Sequence, residues 1–219
     1  MAGLDFPLTS LCLLVISSTC LWMGIKLQDK SKPGQAEMAI ITDNSVATAT
    51  FGKLEFRVFQ QLRFSLHCLT PLHYLNAYLR AWRACPCRNC EYDHPVLRQM
   101  VMYLLCLARL PSGLMHERPS LVVAAALYLA CATLGIQGSQ TTAYPHKYWS
   151  PTLQHYTGYS VSGLCQTVLL IYNYQLQAEE LGVAPFDKYR VESCLEVSLV
   201  AARRLEDLDF SSIDHCHYV

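Results

Sequence analysis

Two groups of side chains have the types and spacing to hold a metal ion. Cys85, Cys87, Cys90 and His94 lie together in CPCRNCEYDH, offering three thiolates and an imidazole of the kind zinc takes at a tetrahedral site. Their C-x-C-x2-C-x3-H spacing is more compact than a standard finger and falls in a loop. Ordinary loop cysteines are therefore the reading it favours, with a redox-sensitive pair as a further alternative. His215 and His217 flank Cys216 at the end of the chain, where fraying is the simpler expectation, so no metal is expected. Tyr144, Tyr148, Trp149, Tyr156 and Tyr159 could line a ligand cage, although core and loop packing explains them more simply. Lys26 closes an apolar stretch, where the negative end of a helix favours a cation. Glu55 lies near the start of FGKLEFRVFQQLRFSL. Taken singly, each is an ordinary charge, and a joint role in binding a partner is the alternative. A Gly-rich phosphate loop, HExxH and GxSxG are all absent, so no enzyme and no cofactor are expected.

The elements that position these residues read as helices, because apolar residues recur at three and four and no segment sustains a period of two. Leu11 to Ile25 and Pro119 to Thr133 are apolar nearly all round, the pattern of helices enclosed by others. Each is expected to be a central core helix, and two such helices imply two cores. The first could also be a signal peptide or anchor. However, Asp5 precedes it without a Lys or Arg, and the run of about fifteen residues is short of the roughly 20 that span a bilayer. A polar connector and an amphipathic helix follow each: Lys53 to Leu66 after the first, Val161 to Leu181 after the second. The remaining helices are expected at Pro71 to Arg83, His94 to Leu110 and Ser150 to Tyr156, and the one at Val161 to Leu181 is taken to start from Ser160. Ser150 serves as N-cap, Pro151 follows at N1, and Gly158 is the stop.

Composition narrows the function classes. The 219 residues are 52% hydrophobic and only 16% charged, which excludes a disordered tail protein, and 17 basic residues balance 17 acidic ones. No net field attracts a phosphate backbone, so nucleic acid is not an expected partner. Eight of the 11 cysteines, namely Cys12, Cys20, Cys68, Cys106, Cys131, Cys165, Cys194 and Cys216, stand singly. This is the look of reduced, buried thiols in an intracellular protein.

Several segments agree in order and spacing with one family. TSLCLLVISSTCLWMGIKLQD resembles the third helix of a first cyclin box. MAIITDNSVATATFGKLEFRVFQQLRFSLHCLTPLHYLNAYLRA resembles the stretch from there through the fifth helix into the second box. RPSLVVAAALYLA and YWSPTLQHYTGYS resemble the third and fourth helices of that second box, the latter close to the mitotic B-type pattern, and FDKYRVESCLEVSLV resembles the C-terminal segment that packs back on the fold. The likeness runs from about Leu8 to Val200. It implies an all-α protein of tandem five-helix cyclin boxes. The first, residues 1–68, would lack its first two helices and leave the apolar face of Leu11 to Ile25 partly uncovered. The second box would span 69–181 and a tail 182–219.

Cyclins are regulatory subunits, so the resemblance implies a heterodimer with a cyclin-dependent protein kinase, in nucleus and cytoplasm, with neither membrane nor nucleic acid as partner. Carried over by position, Lys26 and Glu55 match the charged pair that holds the kinase, and Leu27, Phe64 and Leu66 match apolar contacts beside it. The acidic stretch of the family after this helix is thinned here to Gln28-Asp29, followed by Lys30 and Lys32. A non-activating cyclin-fold adaptor, acting only as an interaction module, is the alternative.

Overall fold

The computed structural model describes residues 10–66, 69–84, 95–136 and 147–208. All regular structure among them is helical. The chain divides into two units, Met1–Cys68 and Leu69–Val219, each built on its own cluster of buried apolar side chains.

In the first unit α1 (Ser10–Gln28), α2 (Gln35–Ile41) and α3 (Thr48–Gln61) follow one another, and α3 packs against both α1 and α2. Trp22, Met38, Ala39, Val46 and Phe51 form the core. Helix α2 falls where a polar connector was expected. Its start is marked by Glu37, whose carboxylate accepts a hydrogen bond from the Gly34 amide at 2.9 Å. It ends in a turn through Asp43 and Asn44, both at positive φ, a conformation that Asx side chains tolerate. Helix α3 begins and ends about five residues before the Lys53 to Leu66 expected, because Arg63 and Phe64 take φ of 51° and 58° and break it.

The expectation of a fully enclosed α1 is corrected. Its buried residues are Ser18, Thr19, Trp22 and Met23, while Leu11, Leu13, Leu21 and Leu27 are each more than half exposed. Helix α3 packs on one face only, so an apolar composition all round leaves a largely apolar outer face. The length is corrected too: the helix runs on through Lys26, Leu27 and Gln28 to 19 residues, long and apolar enough by length and composition to cross a membrane.

The second unit is the larger. Helix α6 (Pro119–Leu134) is its axis, with every residue from Val122 to Thr133 buried. Around it lie α4 (Pro71–Arg83), α5 (Pro95–Leu107) and α8 (Val161–Gln177). Alanine at Ala124, Ala125, Ala126 and Ala130 lets these neighbours approach closely, while Leu127, Leu129 and Val123, all at 0% exposure, each contribute roughly 1.5–3 kcal/mol by burial. Helix α7 (Pro151–Thr157) opens as the caps require, with the Ser150 hydroxyl accepting from the Leu153 amide at 3.2 Å. It closes at Gly158 with φ 74°. Helix α8 stops short of Leu181, since Glu179 and Glu180 are ill placed at a helix C-terminus and Gly182 turns the chain at φ 58°.

After α8 the chain folds back, as the resemblance implies. Helix α9 (Ala184–Tyr189) packs on α5. The Tyr172 hydroxyl donates to the Arg203 carbonyl at 2.7 Å and that of Tyr128 to Leu208 at 2.5 Å. The cysteines match the picture of buried reduced thiols only in part. Cys131 is a fully buried thiol, but of the others Cys20 is exposed, Cys12, Cys106 and Cys194 are half-buried, and Cys165, in the core, is disulfide-bonded.

Candidate functional site

The residues that could hold a partner lie on α1, on α3 and in the turn that follows α3. Side chains four apart share a helix face, which places Trp22 below Lys26 on α1 and Phe51 below Glu55 on α3. The two pairs meet. Trp22 and Phe51 touch edge to face with ring centroids 6.0 Å apart, at 4% and 0% exposure. Above them the Lys26 ammonium forms an ion pair with Oε1 of Glu55, their side chains 30% and 17% exposed. The same Lys26 Nζ stands 3.7 Å from the centroid of the Trp22 ring, and the indole N–H donates to the Pro33 carbonyl at 2.7 Å. A half-desolvated charge pair thus sits at the edge of an aromatic floor.

The apolar residues expected beside it are accessible. Leu27 is 54% and Phe64 66% exposed, and Leu66 is half-buried. Phe64 is presented by strained backbone: Arg63 and Phe64 are consecutive non-glycine residues at positive φ, an arrangement costing on the order of 1–3 kcal/mol for each residue. Its ring stacks on Phe59 at 6.1 Å and meets Phe56 edge-on at 6.5 Å. Sequence reasoning did not single out Trp22, Phe56 or Phe59. The signal was there in the spacing of Trp22 four residues before Lys26, and of two phenylalanines three apart on a short amphipathic helix.

The groove between α1 and α3 contains a cavity of about 480 Å³ lined chiefly by Ile16, Cys20, Leu54, Arg57 and Val58. In the second unit a cavity of about 510 Å³ is lined by Leu72, Met102, Leu105, Leu114, Met115 and Val122 among others. No cluster able to hold a metal occurs among the described residues. Cys85, Cys87, Cys90 and His94 lie outside them, as do Tyr144, His215, Cys216 and His217. Tyr148 and Trp149 are buried against Tyr128, so this part of the aromatic cluster is core, and Tyr156 is exposed.

Comparison with known proteins decides the family. The profile described as "Cyclin, C-terminal domain" matches residues 69–203, more than half of the chain. The chain belongs to the cyclin family. Among curated cyclins, the chain is 32% identical over 158 residues to the G2/mitotic-specific cyclin-B2 of Rana japonica, covering 72% of this chain and 36% of that one. It is 28% identical over 202 residues to Cyclin-A2-3 of Arabidopsis thaliana, covering 90% of this chain and 42% of that one. Against the G2/mitotic-specific cyclin-B of Drosophila melanogaster it is 25% identical over 188 residues, 85% of this chain and 34% of that one. The chain thus spans about a third to two-fifths of the length of these relatives. Cyclins are non-enzymatic regulatory proteins, and the relatives the chain matches are cyclins.

Proposed function

We propose that this cyclin binds a cyclin-dependent protein kinase as a heterodimer and activates or redirects it in cell-cycle control, in nucleus and cytoplasm. Lys26 and Glu55 orient the kinase, and Leu27, Phe64 and Leu66 form the apolar seam that excludes water around them. The observation that carries this reading is the assembled Lys26–Glu55 pair at the rim of an exposed apolar surface. A charge pair so placed sets register more than raw affinity. The phosphoryl transfer belongs to the kinase, which brings its own nucleotide and magnesium sites.

Glu55→Ala tests it directly. The pair sits at the rim of the fold, above a Trp22–Phe51 core that Glu55→Ala leaves in place, so the helical circular dichroism of the variant stays that of the parent. Stranding Lys26 at a closed interface costs about 2–5 kcal/mol, so kinase association falls by about 30-fold or more. Unchanged association would remove Glu55 from the interface. The non-activating adaptor is the second reading, supported by the apolar cavity in the second unit. Under it, association with kinase is indifferent to Glu55 and partner binding is lost on Met115→Asp, a change at a residue 74% exposed.

A further inference from the structure

Lys26 has two neighbours, and the function proposed above uses only one of them. A lysine carries four rotatable bonds and loses up to about 2 kcal/mol of rotamer freedom when fixed. A single carboxylate at a partly wetted rim compensates for little of that. Here the ammonium is bracketed: Glu55 takes one side, and the face of Trp22 lies 3.7 Å away on another. Tryptophan is the best aromatic for holding a cation in this way. The indole itself cannot swing aside, because its N–H is bonded to the Pro33 carbonyl at 2.7 Å and its ring is wedged against Phe51.

Resting on the kinase-docking reading, we propose that Trp22 is a positioning residue for the Lys26–Glu55 pair, holding the lysine ammonium in its docking geometry before the partner arrives. The order lost by Lys26 on binding is then lost in advance, which strengthens association without any contact between Trp22 and the kinase. Because Trp22 is anchored through Pro33, the segment linking α1 to α2 takes part in setting the same geometry. Trp22 is 4% exposed, so its effect passes through Lys26.

The experiment uses the full 219-residue chain. In NMR spectra of the parent, the ε-methylene protons of Lys26 lie upfield of ordinary lysines because they sit over the indole. Trp22→Phe keeps part of that shift and Trp22→Leu abolishes it. Affinity is then measured against a panel of purified cyclin-dependent kinases. Trp22→Leu weakens the tightest complex by about three- to tenfold, in proportion to a cation–π contact, and Trp22→Phe weakens it less. In a Lys26→Met background Trp22→Leu has no further effect, whereas a merely structural role would lower affinity equally in both backgrounds. Equal losses, or a Lys26 methylene at its ordinary position in the parent, overturn the proposal. If no kinase in the panel binds the parent, the docking reading fails by itself, and the Lys26 shift still decides whether Trp22 holds the ammonium.

Discussion

Tyr103 is 1% exposed, and its hydroxyl has no hydrogen-bond partner among the described residues. A buried hydroxyl in that state costs about 1–3 kcal/mol of lost hydration, so Tyr103→Phe raises the unfolding free energy, by about 1 kcal/mol in urea titration. Burial also pushes the phenols of Tyr103 and Tyr78 up to about 12. It raises that of Tyr189 as well, with Cys106 alongside it as the lesser cause. In the unfolded chain these phenols ionise near pH 10, while the folded chain keeps its protons to higher pH. Their contribution is therefore complete below about pH 10 and lost as pH rises toward about 12. Urea titrations from neutral pH upward show stability falling across that window, less steeply in Tyr103→Phe. At this scale Lys26 and Glu55 were picked out by the family resemblance, since taken singly each is an ordinary charge; the ion pair between them is what the structure adds. Trp22 was hidden: an aromatic in an apolar run looks like core, which it also is, and only the fold turns its face toward the ammonium.

The elements were legible where local chemistry marks their ends. Helix α4 runs over Pro71–Arg83 as read, since Thr70 and Pro71 open it together, and α7 lies between Ser150 and Gly158. Ser150→Ala removes the bond to the Leu153 amide and costs about 1 kcal/mol. Gly158→Ala costs about 1 kcal/mol through backbone strain alone, because an added Cβ there meets nothing within 4 Å. Thermal unfolding of the two variants checks both values. The seven residues of α2 were not legible, because a two-turn helix is too short to display a period. The burial of α1 could not be read either: a helix apolar on every face carries no sign of which face its neighbours reach.

Across the molecule the two units differ in how much apolar surface they bury. The first rests on a cluster of five buried apolar side chains and the second on a continuous cluster that includes nearly the whole of α6. Local opening free energy follows that density of buried contacts. Hydrogen exchange read by mass spectrometry is expected to find the amides of α6 slowest, and those of α1 to α3 exchanging well before them. Protection in α1 equal to that in α6 would show that the first unit is held by more than its own core. The proposed partner surface lies on the unit with the smaller buried core, where binding has the most order to add. The most direct measurement is affinity capture of the full chain from dividing cells, with the eluate assayed for cyclin-dependent kinase and for histone phosphorylation. The account predicts a bound, active kinase with the parent chain and far less with Glu55→Ala. A folded parent chain that retains no kinase would contradict it.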